Sequence, residues 1–405
     1  RARVARPGAT GLGRGRLAGM DRAVIEAGLP GVLRAARGQP ALVVERVDAR
    51  HDPAAEAGQP WLAVKYGGAG ANDWHGVVPV SVRLRPSPAA PAEDVALVVK
   101  VNPRRGVGDT LIPWIIEREG IELPRPFDRW RTTTESRDTG DREAAVYALA
   151  GSVPELAAAM ARCHGRIDDP GSGEHALVLE WVELDGLDAS GARLDWPHGR
   201  LVTAAAAAAR WHAALASWTP DLGWAGSRPT TADRVADLDL YRALLVDAHR
   251  RFPDDVDDAV LCRRERLLDT LHDWHAVKDE LPATLVHDDF NARNVGFAGE
   301  RAVVLDWELA RLDTPTRDPV ELLTFGLGPD ADPEVFTAVS ETARATLAAG
   351  GLTIDTGTWR EAVRAEVRTE AIDRLAMQAV FAAAFTLPYF SRIQATVERM
   401  LDLTD

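Results

Sequence analysis

The sequence predicts an α+β protein in which a small, mainly β first half gives way to a larger, mainly α second half. Three observations predict it. Stretches rich in β-branched residues, or alternating in polarity, recur between positions 41 and 101 and again at 176–182. From position 201 onward, long segments of helical period take over. Two short apolar runs, 284–286 and 302–305, interrupt those helices, and each leads into an acidic loop.

The elements follow in chain order. Residues 1–20 are basic and glycine-rich and lack the apolar core of a signal peptide. Residues 1–40 are therefore read as an N-terminal extension, flexible at its start. Strands are expected at 41–47, 61–66, 77–85 and 95–101. Residues 67–73, Gly-Gly-Ala-Gly-Ala-Asn-Asp, are a turn signal between the second and third. A Pro/Ala loop at 86–94 joins the third and fourth, giving a small antiparallel sheet. Short helices are expected over 109–119 and 141–150, the second with Asp141 as its N-cap. The last strand is 176–182, and the texture changes near 180–185. This divides the chain into the extension 1–40, an N-lobe 41–183 and a C-lobe 184–405. Helices are expected at 201–216, 233–251, 260–278, 332–349 and 358–401, the last broken near Pro388.

Bulk properties narrow the function classes. A chain of 405 residues with 46% hydrophobic residues has ample core for two lobes around one cleft. Its net charge of −14 argues against nucleic acid and anionic membrane as partners. Cys163 and Cys262 form neither a disulfide framework nor a metal cluster, a pattern that suits a reducing cytoplasm. The longest uncharged apolar stretch, 375–390, contains Gln378 and Pro388. It is short for a bilayer and is read as a buried helix.

The strongest chemical signal is His287-Asp288-Asp289-Phe290-Asn291-Ala292-Arg293-Asn294, directly after an apolar run. Leu305-Asp306-Trp307-Glu308 follows the second run, and the two runs are expected to pair as a hairpin. Two acids and an amide on adjoining loops suit phosphoryl transfer. One carboxylate can orient a hydroxyl and take its proton, while an amide and a second carboxylate can hold the cations that bridge phosphates.

These loops resemble the catalytic and metal loops of the aminoglycoside phosphotransferase and choline kinase-like superfamily, relatives of protein kinases. The matching positions are His287, Asp289, Asn294 five residues later, and Asp306. Asp288 departs from the Gly or Asn usual at its position. Arg317-Asp318-Pro319-Val320-Glu321-Leu322 and the helical Arg210-Trp211-His212 are similar to two further family stretches. The resemblance spans roughly residues 40–390. It implies a two-lobed protein kinase-like fold, ATP or GTP as phosphoryl donor, and Mg²⁺ held by Asn294 and Asp306. Asp289 would be the base, and His287 would bond backbone near the metal loop. Asp288, Arg293 and Glu308 would support the loops or the substrate.

The resemblance also asks for a lysine in the first half. Lys100 ends the stretch 95–100, and Glu143, opening the helix 141–150, is its best partner, with Lys65 the competing lysine. Gly68 and Gly70 lie in a turn that either covers nucleotide phosphates or is an ordinary hairpin. Glu180 and Trp181 resemble the linker between lobes, whose backbone would pair with a purine. Trp181 packing in the core is the other reading. His272 and His275 lack a third ligand nearby and are read as helix-surface or packing residues. The acceptor stays open between a small-molecule hydroxyl (an antibiotic, aminosugar or natural-product intermediate) and Ser/Thr of a precursor peptide. A nucleotide-binding pseudokinase is the third reading. Oligomeric state is not legible.

Overall fold

The computed structural model describes residues 20–49, 73–74, 76–102, 107–124, 127–129, 139–188, 191, 194, 196–216, 222–226 and 228–405. The strand expected over 61–66, Lys65, Gly68 and Gly70 lie outside the described residues.

Five strands make the N-terminal sheet: β1 (Val43–Ala49), β2 (Gly76–Arg85), β3 (Glu93–Asn102), β4 (Cys163–Asp168) and β5 (His175–Glu180). The sheet is antiparallel throughout, in spatial order β1-β2-β3-β5-β4. Along β2 and β3 every second side chain, Val80, Val82, Leu84, Leu97 and Val99, is buried on one face. That face is covered by α1 (Arg22–Arg37), which presents Ile25, Leu29 and Leu33 at helical spacing. Asp21 caps α1 by accepting from Ala23 N, and Gly38 ends it in the left-handed conformation. The sequence predicts neither element: residues 22–37 fall within the expected extension, and no strand is expected at β4.

Two helices follow β3: α2 (Val107–Glu119) and α3 (Thr139–Ala150). Asp141 sits in the first turn of α3 and is not its N-cap, because the helix opens at Thr139. The last strand stops at Glu180, short of the expected 182.

The C-terminal half is helical around α4 (His198–Ala216), whose small Ala204, Ala205, Ala208 and Ala209 are buried and let neighbours approach closely. Around it lie α5 (Thr231–Ala236), α6 (Leu238–Arg251), α7 (Asp258–Asp269), α8 (Leu271–Glu280), α9 (Arg317–Gly326), α10 (Pro333–Ala349) and α11 (Thr356–Thr369). A π-helical turn, Glu370–Arg374, leads into α12 (Leu375–Ala384). The chain leaves the helix at Phe385 and passes Pro388 before α13 (Phe390–Thr404), so the break expected near Pro388 is observed. The stretch 375–390 is thus a helix plus a turn. Among the described residues no helix is long and apolar enough to cross a membrane.

The two short apolar runs are strands, but they do not pair with each other. Thr284–Val286 (β6) pairs antiparallel with Arg311–Asp313 (β9). Val295–Ala298 (β7) pairs with Arg301–Val304 (β8). A three-residue apolar run fixes burial but not its partner, and the partners are strands too short or too polar to announce themselves. The pairings still bring both acidic loops to one place. Leu305 N donates to Asn294 O at 2.8 Å, and Val304 N to Ala159 O at 2.7 Å, which seats the hairpin under the N-lobe.

Candidate active site

Lys100 lies near the end of β3, where the strand pairs it across from Leu177 of β5. Its Nζ donates to Glu143 Oε1 at 2.8 Å and to Asp306 Oδ1 at 2.6 Å. Glu143 projects from α3, is wholly buried, and also accepts Trp307 N at 3.2 Å. One carboxylate thus ties the strand lysine to the backbone of the loop after β8. Burial alone would lower the Lys100 pKa, but Asp306, Glu143 and Glu308 outweigh it and hold the ammonium well above its usual range. Asp306 has φ of 62°, a left-handed conformation at the start of the short 3₁₀ turn Trp307–Leu309. Glu308, in that turn, is buried and accepts weakly from Thr139 Oγ1 at 3.5 Å.

The other half of the site is the loop after β6. Asp289 Oδ2 accepts from Asn294 Nδ2 at 2.7 Å, and Oδ1 from Arg293 Nη2 at 2.8 Å and Arg374 Nη2 at 2.6 Å. Burial by itself would raise the Asp289 pKa. Arg293, Arg374, His287 and the Asn294 bond reverse the sign and hold the carboxyl well below its usual range. Asp289 is therefore ionised at neutral pH. His287 Nε2 meets the Leu305 carbonyl at 2.9 Å, the backbone contact expected of it, and its ring lies 4.7 Å from Trp307. Trp211, Phe290 and Trp307 close the floor beneath it with edge-on contacts.

Asp288 turns away from this centre. Its φ of 63° points the carboxylate toward Arg317 Nε at 2.7 Å and Arg311 Nη2 at 3.2 Å. Burial would raise its pKa, and Arg311 and Arg317 lower it instead. The extra acid is thus paired internally, with Arg311 and Arg317. Trp181 is 40% exposed and donates to Glu183, so it does not pack in the core. Glu180 closes the strand by accepting Arg162 N at 2.8 Å.

Several residues that shape the loop were not singled out from the sequence. Asp318 accepts the backbone N–H groups of His287 and Asp288 at 2.9 and 3.1 Å, and His212 Nε2 lies 2.9 Å from it. Both belong to the stretches flagged by resemblance, so the signal was present without a role. Arg374 comes from a distant helix and carried no local signal.

The residues fit an oxygen-seeking cation. Asn294 commits its Nδ2 to Asp289, which leaves Oδ1 as the atom to face a metal beside the partly exposed Asp306 carboxylate. Among the described residues no cluster of three acidic, His or Cys side chains forms a closed metal cage. An open pair of oxygen donors suits Mg²⁺, which keeps water and substrate phosphates as its remaining ligands.

The family model of the phosphotransferase enzyme family matches residues 124–361. No curated protein matches the chain. Among solved structures the chain is similar to a glucosamine kinase, at 18% identity and TM-score 0.45, over 92% of this chain and 83% of that one. It is similar to an aminoglycoside-3'-phosphotransferase of type VIII, at 15% identity and TM-score 0.35, over 84% and 98%. It is also similar to a choline kinase from Cryptosporidium parvum Iowa II, at 9% identity and TM-score 0.44, over 80% and 87%.

Proposed function

The chain belongs to the phosphotransferase enzyme family, and we propose that it moves the γ-phosphoryl group of ATP or GTP to the hydroxyl of a small molecule in the cytoplasm. The observation that carries this reading is the meeting of Lys100, Glu143 and Asp306 across the lobes, next to the ionised Asp289. In the proposed mechanism Lys100 holds the phosphates, with Glu143 fixing its position. Asn294 and Asp306 hold Mg²⁺, which supplies charge neutralisation to the triphosphate when bound. Asp289 accepts a hydrogen bond from the acceptor hydroxyl and aligns its oxygen with the γ-phosphorus. As the new P–O bond forms and the bond to the nucleoside diphosphate breaks, the hydroxyl proton passes to Asp289. Within this reading Glu180 and Trp181 form the linker beside the purine, and the lobe boundary falls near residue 183.

A Ser/Thr hydroxyl of a peptide is the second reading. The segment between Lys100 and Glu143 favours it, because it lines an open hollow of about 420 Å³ in which Pro113, Ile116, Ile121, Leu123 and Phe127 sit beside the acids Glu117 and Asp128. The test is an acceptor screen of small-molecule alcohols and Ser/Thr peptides with Mg-ATP and Mg-GTP, in wild type and Asp289→Asn. Turnover should fall by about 10²–10⁴-fold in the variant while nucleotide affinity is retained. Turnover near the wild-type level in Asp289→Asn would remove Asp289 from its role. Nucleotide binding with no transfer to any acceptor would favour a pseudokinase.

A further inference from the structure

The π-helical turn Glu370–Arg374 lies against the catalytic loop. Such widenings insert a residue into an α ladder and rotate everything that follows by about 100° per residue. Here the turn sends two adjacent charges to different neighbours. Asp373 pairs with Arg234 of α5, which in turn donates to Tyr241. Arg374 Nη2 donates to Asp289 Oδ1 at 2.6 Å and to the buried Glu321 Oε1 at 3.3 Å.

The result is an uneven carboxylate. Asp289 Oδ1 takes three donors, from Arg374, Arg293 and Asn291 at 2.6, 2.8 and 2.9 Å. Oδ2 takes one side-chain donor, from Asn294. The Asp torsion that sets which oxygen faces which way is soft and close to two-fold, so it needs outside donors to choose an orientation. Arg374 can choose because it is itself held. Glu321, which it touches, is fixed by Arg317 Nη2 at 2.9 Å.

We propose that Arg374 is a positioning residue: the π-helical turn delivers its guanidinium to Oδ1 of Asp289, locking the carboxylate so that Oδ2 is the oxygen left for the acceptor hydroxyl. This rests on the reading of Asp289 as the base. Arg293 shares the work, since its guanidinium is stacked between Phe325 and Tyr389 at 5.2 and 5.1 Å and cannot swing away. Arg374 is the member that ties the loop to the C-terminal helices.

The test uses the full chain with Mg-ATP and water as acceptor, read as steady-state hydrolysis, with nucleotide Kd by calorimetry. Arg374→Ala should lower kcat by about ten- to a hundred-fold, the scale expected of a misplaced catalytic group. KM for ATP and Kd should stay at wild-type values. Guanidinium chloride, and not ammonium chloride at equal concentration, should restore part of the rate. Arg374→Lys, which keeps the charge without the planar fork, should fall between. It carries the test if the alanine variant shows no melting transition. An unchanged kcat in Arg374→Ala and Arg374→Lys overturns the proposal, as does a loss that appears equally in Kd. Asp289→Asn, assayed alongside, separates the two readings. Hydrolysis that survives in it removes the base. Hydrolysis lost there but intact in the Arg374 variants removes only the positioning role.

Discussion

Lys100 is the residue on which both halves of the site converge, and its environment makes a sharp stability prediction. Glu143 is wholly buried, and its charge is offset by Lys100 and by the Trp307 N–H. Removing one partner of a buried ion pair costs about 3–5 kcal/mol, chiefly by stranding the other charge. Lys100→Met should therefore lower the free energy of unfolding, measured by urea denaturation, by an amount on that scale. Adding Glu143→Leu should recover part of the loss, since an apolar pair no longer leaves a charge buried. Additive losses in the double variant would show that the two side chains do not share one interaction. Lys100, Glu143, Asp289, Asn294 and Asp306 could be singled out in the sequence because the family resemblance asks for residues at a strand end, a helix start and a spaced loop, and each sits in such a pattern. Arg374 and Asp318 were not, since what they hold lies 85 and 31 residues away. The same limit explains Asp288, whose identity as an acid was plain while its direction was set by a left-handed backbone and by Arg317.

At the scale of elements, α1 and β4 show how a segment can be readable and still be missed. Ile25, Leu29 and Leu33 recur at helical spacing between Asp21 and Gly38, a full set of start and stop signals. The basic, glycine-rich residues before them mask that period. The strand β4, Cys-His-Gly-Arg-Ile-Asp, has neither alternation nor β-branched density, and only its place at the sheet edge against α1 makes it a strand. Gly165 makes that contact possible. A Cβ there would lie 2.9 Å from Val32 Cγ1, on a backbone with φ of 149°. Gly165→Ala should cost about 1–3 kcal/mol by overpacking, measured by chemical denaturation; a neutral result would mean that α1 is loosely seated. The contact of α8 with α5 gives a pH prediction. His275 is buried, bonds Thr231 Oγ1 at 2.8 Å, and burial, aided by Lys278 and Arg234, pushes its pKa down to about 2. Above pH ~6.5 it is neutral both folded and unfolded and contributes no pH dependence. Below that, the unfolded chain takes a proton that the folded chain refuses. Stability therefore falls as pH drops from about 6.5 toward 2, at about 1.4 kcal/mol per pH unit, or about 2 kcal/mol lost by pH 5. His275→Gln should flatten the acid limb of the stability profile by that amount. An unchanged limb would assign the loss to other groups.

At the scale of the molecule, the order of the two halves was written in the texture of the sequence, alternation first and helical period afterwards. Their joining was not, because it depends on contacts between distant segments. Among the described residues the halves meet at several places, including the Lys100 to Asp306 ion pair, the hydrogen bond from Val304 N to Ala159 O, and the packing of α2 against α12. The third is apolar: Leu111, Ile112 and Ile115 share one core with Met377 and Val380. The polar fastening at Lys100 is the one a bound nucleotide would change, since phosphates and cations compete for the same three charged groups. A ligand that binds only the folded chain stabilises it by RT ln(1 + [L]/Kd), about 2.7 kcal/mol at one hundred times Kd. Mg-ATP should therefore raise the thermal midpoint in a concentration-dependent way. EDTA should remove most of the shift, because in this reading Asn294 and Asp306 reach the phosphates only through a bound cation. Asp306→Ala should lose the shift as well, while Asp288→Ala, if it folds, should keep it, because Asp288 faces Arg311 and Arg317 and not the cleft. A midpoint that rises equally in Asp306→Ala would mean that the nucleotide is held without the loop after β8, and the acidic centre would then have to be assigned to the acceptor.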